Sequence, residues 1–264
     1  MSRLDVLREH LAFRWGLLRE PSVLFRQRLY QRDAEALAQT LARAWADRNG
    51  PDRPRVAAHA RPTATVPSPA VARQVVAHLM ESLKRDDVPV GGPDAGSRLS
   101  SLPASESRER QMESGAARMA LAVPIAGVRG GKRPAEVWLS ISHTTGVGVA
   151  IAAASTPERR AIGVGIDVER HDRVVSDRML ARIAHPADVW GDVPAVVRWC
   201  VKEACFKADP WADGSFSRYR IETEPAGGEG GLWAFTARSR GMVASGIAGI
   251  SSGYAHAGVV AEPA

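Results

Sequence analysis

The chain has 264 residues, 45% apolar and 24% charged, with a net charge of +6 and a sequence pI near 9.9. That is ordinary globular composition and enough chain for one large domain or two small lobes with a real core. No run approaches the roughly eighteen apolar residues of a membrane span, and the charged N-terminus MSRLDVLREHLAFRWGLLRE lacks a leader pattern, so a cytoplasmic chain without membrane contact is expected.

The basic excess is compatible with a solvated surface or with an anionic partner. Of the 35 basic residues only Lys84, Lys132, Lys202 and Lys207 are lysines, which leaves 31 arginines. In a chain that uses Arg almost everywhere, two lysines close together suggest that compact point charges are wanted there. The charge alone does not argue for nucleic acid, because no binding module or basic–aromatic stripe accompanies it.

Residues 3–48 read as helical, with Leu37, Leu41 and Trp45 at four-residue spacing in a stretch from Ala34. Residues 49–69 are Pro-rich and aperiodic and read as a loop. A helix over 70–84, a loop over 86–104 around GGPDAGS, and a helix over 106–123 follow. From Val137 short β-branched segments alternate with glycines, and a strand-rich region begins. There is no internal repeat.

The segment from Ala161 to Glu169 is the most informative. Ile162, Val164, Ile166 and Val168 alternate strictly, as the buried face of a strand does. Gly163, Gly165, Asp167 and Glu169 form the other face, where the glycines are expected to leave room for a ligand. Side chains two apart on a strand leave it about 6.6 Å apart and point the same way. The two carboxylates can therefore converge on one cation, and Mg²⁺ takes one or two carboxylates plus waters and phosphates.

Downstream, Val196 to Lys207 reads as a helix, with Trp199, Glu203 and Lys207 stacked along one side at four-residue spacing. Cys200 and Cys205, five apart on that helix, point in different directions, so neither a disulfide nor a metal pair is expected from them.

Taken together, Gly165-Ile-Asp-Val-Glu169, Trp199-Cys-Val-Lys-Glu-Ala-Cys-Phe-Lys207 and the earlier Ser140-Ile-Ser-His-Thr144 resemble the signature of the 4′-phosphopantetheinyl transferase superfamily in residue type, order and separation. The His-containing segment is similar to that of the two-lobed, surfactin- or enterobactin-type members. The resemblance implies an α+β fold of two pseudo-symmetric lobes, each a small antiparallel sheet packed with helices. Residues 1–100 would form a divergent, mostly helical N-terminal region with Pro/Gly-rich loops, 101–160 part of the N-terminal lobe, and 161–264 the C-terminal lobe with the metal site.

The same resemblance implies transfer of phosphopantetheine from coenzyme A to a serine of an apo carrier protein, with release of 3′,5′-ADP. Asp167, Glu169 and Glu203 correspond to the acidic groups around Mg²⁺, for which Mn²⁺ is a substitute. Glu203 and Lys207 take the catalytic places. Lys202 and Lys207 match lysines that contact coenzyme A phosphates, and His143 with Ser142 matches the 3′-phosphate site. Gly115-Ala-Ala-Arg-Met-Ala-Leu121 is similar to a helix bearing a coenzyme A-binding Arg, which makes Arg118 the candidate; Ala116 departs from the usual Gly-Arg. Asp188 stands where the family has Glu in a Pro-Ala-Glu segment. A monomer is expected, and the basic surface would steer an acidic carrier. The alternative is an inactive relative that binds coenzyme A or a carrier without transfer.

Overall fold

The computed structural model describes residues 55–60, 90–91, 136–144, 147–155, 161–226, 231–251 and 253–264. The helices expected over 3–48, 70–84 and 106–123 lie outside these residues, as does Arg118.

Two sheets make up the described fold. The first is built on a hairpin of β3 (Glu136–Thr144) and β4 (Val147–Ser155), paired antiparallel so that Ser142 faces Val149 and His143 faces Gly148. β1 (Arg55–Ala60) adds antiparallel to the far side of β4, and β2 (Val90–Gly91) adds parallel to β3, giving the order β1-β4-β3-β2. β1 and β2 correct the expectation of loops over 49–69 and 86–104. Pro54 and Pro62 flank the short run Arg-Val-Ala-Ala-His-Ala in the first case, and the strand is specified by its partner β4 rather than by its own propensity. The parallel β2–β3 pair also departs from a purely antiparallel sheet.

The second sheet has the order β5-β9-β8-β7-β6 and is antiparallel throughout. Its strands are β5 (Gly163–Arg170), β6 (Arg220–Pro225), β7 (Leu232–Ser239), β8 (Met242–Ser251) and β9 (Tyr254–Pro263). Between β5 and β6 lie α1 (Asp177–Ile183), capped by the Ser176 hydroxyl accepting from the Met179 amide, and α2 (Ala195–Ala208). Among the described residues, no helix is long and apolar enough to cross a membrane.

β5 is covered on both faces. Val164, Ile166 and Val168 pack with Val147, Val149 and Ile151 of β4, as the period-two pattern implies. The opposite face corrects the expectation that its glycines leave space for a ligand. A Cβ on Gly165 would lie 1.8 Å from the Ala204 carbonyl oxygen, and one on Gly163 would lie 1.9 Å from that of Ala208. The glycines let the backbone of α2 settle directly on the strand. Ala204 and Ala208 are themselves fully buried small residues one helical turn apart, so both surfaces of this contact are cut to the backbone.

α2 then buries Val197, Cys200, Val201 and Cys205 in a core shared with Tyr219, Phe235 and Met242. β9 contributes Ala255, Ala257 and Val259 to this core and one polar exception. His256 is 0% exposed, and its ring Nε2 lies 3.1 Å from the Ser251 hydroxyl. Burial pushes its pKa down to about 4, so the folded chain holds it neutral.

Two outcomes follow from this packing. Gly165→Ala forces α2 off the strand and is expected to lower stability by about 3 kcal/mol, at the upper end of overpacking costs; the midpoint of urea unfolding at constant slope measures it. For His256 the unfolded chain takes up a proton below about pH 6.5, whereas the folded chain resists until about pH 4. Stability present above pH 6.5 is therefore lost progressively as pH falls through that window, by up to about 3 kcal/mol. Comparing parent with His256→Leu at pH 7.5 and 4.5 isolates the effect as a smaller pH dependence in the variant.

Candidate functional site

β3 and β5 run side by side in the same direction without backbone pairing, joined by a row of hydroxyls. On β3, Ser140, Ser142 and Thr144 share one face because they are two residues apart. The Ile166 amide donates to Ser140 Oγ at 3.3 Å, Ser142 Oγ donates to Asp167 Oδ1 at 2.7 Å, and Thr144 Oγ1 donates to Glu169 Oε2 at 3.2 Å. Ser142 and Asp167 are 25 apart in sequence, as are Thr144 and Glu169, and that constant offset is what parallel strands in register produce. The SISHT segment thus lines the carboxylate strand with hydroxyls, Ser140 accepting from its backbone and Ser142 and Thr144 donating to its carboxylates, with His143 half-buried at the next-to-last position of β3.

Asp167 is only 3% exposed. Its Oδ1 accepts from Ser142 and, at 2.7 Å, from Lys207 Nζ, which also donates to the Ile166 carbonyl at 3.1 Å. Its Oδ2 is buried with no hydrogen-bond partner. The Cys200 thiol lies against the same carboxylate, but its hydrogen bond goes to the Ala255 carbonyl at 3.6 Å; burial, then the charge of Asp167, pushes that thiol's pKa far up, so it is an inert neutral neighbour.

Glu203 stands one turn before Lys207 on α2, with Oε2 4.0 Å from Nζ. Burial, reinforced by the negative charge of Asp167, raises the Glu203 pKa, and Lys207 and Arg173 only partly oppose this. Glu169 is ion-paired to Arg173, whose guanidinium also lies 5.1 Å from the ring centroid of Trp199. Trp199 in turn lines a cleft of about 620 Å³ with Met179, Arg182, Ile183, Asp213 and Phe216.

Of the residues singled out in the sequence, Ser142, Asp167, Glu169, Glu203 and Lys207 therefore come together. Lys202 does not. Its ammonium is fully buried on another side of α2, donating to the Tyr219 carbonyl at 2.6 Å and pairing with Asp188 Oδ2 at 2.8 Å. Asp188 also accepts from the Ile221 and His185 amides, at 2.8 and 2.9 Å, so the pair ties α2 to the segment after α1 and to β6. Burial lowers the Lys202 pKa, and the hydrogen bond to Asp188 opposes that shift. With no exposed surface and its donors spent inside the protein, Lys202 is a clamp within the fold rather than a phosphate contact.

Two residues that touch the cluster, and one pairing outside it, went unread in the sequence. Thr144 was legible in principle, two residues beyond Ser142 on the same strand face. Arg173 follows the carboxylate strand without a spacing rule that would mark it, and the Asp188–Lys202 pair is made by a return of the chain across loops.

As a donor set the cluster suits a hard divalent cation: all three acids offer oxygen, and Asp167 holds a buried oxygen that no protein donor satisfies. Among the described residues, no three His, Cys, Asp or Glu side chains stand at mutual ligating distance, and Glu169 is engaged by Arg173 and Thr144. No protein-family model matches the chain, and no curated protein matches it.

Lys202→Met should cost about 3–5 kcal/mol, because it strands the buried Asp188 carboxylate, whereas Arg220→Met, which gives up an exposed ion pair to Glu222, should cost at most about 1 kcal/mol. Denaturant titration of the two variants side by side checks the order; equal losses would remove the clamp role.

Proposed function

We propose that the chain is a 4′-phosphopantetheinyl transferase. It would move phosphopantetheine from coenzyme A to the serine of an acidic apo carrier protein and release 3′,5′-ADP. The observation that carries this reading is the Ser142–Asp167–Lys207 hydrogen-bonded chain. It joins, at one buried carboxylate, the three separate segments on which the sequence resemblance rests. The two sheets, divided between residues 155 and 163, are read as parts of two pseudo-symmetric lobes within a cytoplasmic monomer.

Asp167, Glu169 and Glu203 are the residues that would hold Mg²⁺, which when bound offsets charge on the pyrophosphate oxygens. The chain's own groups do the rest. Glu203, with its pKa raised by burial and by Asp167, is better matched to accept the serine proton than an ordinary carboxylate. As that proton leaves, the serine oxygen bonds to phosphorus and the phosphorus–oxygen bond to 3′,5′-ADP breaks. Lys207 sits one turn along the same helix and can present its ammonium to the departing phosphate. Ser142 is committed to Asp167, so its part is to orient that carboxylate, and His143 beside it remains the candidate for the 3′-phosphate. Arg118 keeps the role its resemblance implies, and Lys202 is withdrawn from the set.

A second reading, a relative that binds coenzyme A or a carrier without transfer, draws support from the engagement of Asp167 by Lys207 and of Glu169 by Arg173. One experiment separates the two: incubation with coenzyme A, Mg²⁺ and a panel of apo carriers, read by intact mass. The transferase reading expects a carrier gaining one phosphopantetheine, with the rate falling about 10²-fold or more in Glu203→Gln while coenzyme A binding persists. Binding without any modified carrier supports the second reading, and an undiminished Glu203→Gln rate removes Glu203 as the base.

A further inference from the structure

Each strand carboxylate of the cluster already carries one protein cation. Lys207 is held on Asp167 by a second bond to the Ile166 carbonyl, so it is part of the packed joint between α2 and β5. Arg173 is held differently. It lies beyond the end of β5, its side chain is about a third exposed (32%), and its contacts are the ion pair to Glu169 and the face of Trp199. Thr144 satisfies the other oxygen of Glu169 independently, so the carboxylate keeps a donor and its orientation if Arg173 leaves.

A guanidinium and a divalent cation cannot both sit against one carboxylate without strong mutual repulsion. The ring of Trp199 offers Arg173 a resting place that costs no desolvated charge. We propose that Arg173 is an internal counter-ion that competes with a divalent cation for Glu169: it holds the carboxylate in the free chain and is let go toward Trp199 when the cation enters. The inference rests on the reading that the cluster takes a divalent cation, for which the buried, unpartnered Oδ2 of Asp167 is the separate observation. Arg173 is thereby a residue that sets affinity and takes no part in the transfer.

The test is calorimetric titration of Mn²⁺ into the full chain, parent against Arg173→Gln, with no coenzyme A or carrier present. Removing the competitor should tighten Mn²⁺ binding roughly five-fold, the worth of a partly exposed ion pair expressed as an affinity. Arg173→Lys keeps the charge without the planar fork and should fall between the two, and it stands in if the Gln variant folds poorly. Equal or weaker binding by Arg173→Gln overturns the proposal, and so does a parent and variants that all fail to bind Mn²⁺. Tighter binding with no carrier modified in the mass assay would leave Arg173 as the competitor and defeat the transferase reading. Modified carriers with unchanged Mn²⁺ affinity would do the reverse.

Discussion

A carboxylate that is 3% exposed has to be compensated by its surroundings, and in this protein Asp167 organises them. Burying an ionised group without partners costs several kcal/mol. The chain meets that demand from two directions, with the Ser142 hydroxyl from the first sheet and the Lys207 ammonium from α2. Because the two donors come from separate elements, satisfying Asp167 also fixes β3, β5 and α2 relative to one another. One oxygen is left over. That remainder makes the joint a candidate site as well as a structural contact.

The position of α2 follows from a second constraint, the absence of side chains at Gly163 and Gly165. With α2 backbone lying directly on the strand, helical periodicity dictates where each of its side chains emerges. Glu203 and Lys207, one turn apart, land at the carboxylate end of β5. Lys202, five residues before Lys207, is rotated about 140° around the axis and falls into the opposite environment, between Asp188 and the Tyr219 carbonyl. Two lysines with the same chemistry thus do different work: one faces the cluster with partial exposure, and the other is sealed in the core as the counter-ion of an aspartate. Their pairing in the sequence as two phosphate contacts does not survive the helix geometry.

Electrostatically, the site is poised. Three carboxylates, Asp167, Glu169 and Glu203, meet two cations, Lys207 and Arg173, and burial, reinforced by the charge of Asp167, raises the pKa of Glu203. A protein that merely needed stability would gain from replacing such a cluster with apolar packing. The cluster stands beside a cleft walled by Trp199, Phe216 and Met179.

How much of this was legible in the sequence depended on the range of the interaction. Strict alternation from Ile162 to Val168 and the four-residue spacing of Trp199, Glu203 and Lys207 are local signals, and both β5 and α2 form as those signals require. The residue types for carboxylate chemistry and the strand-rich character after residue 136 were likewise present in the sequence alone. Short strands such as β1 were hidden, since six residues among prolines become a strand only when β4 offers its edge. The purpose of the glycines, the burial of Lys202 and the grip of Arg173 on Glu169 were decided by tertiary structure. In each case the deciding partner is distant in sequence or lies across a loop, and only packing brings it within the few ångströms over which sterics and charge act.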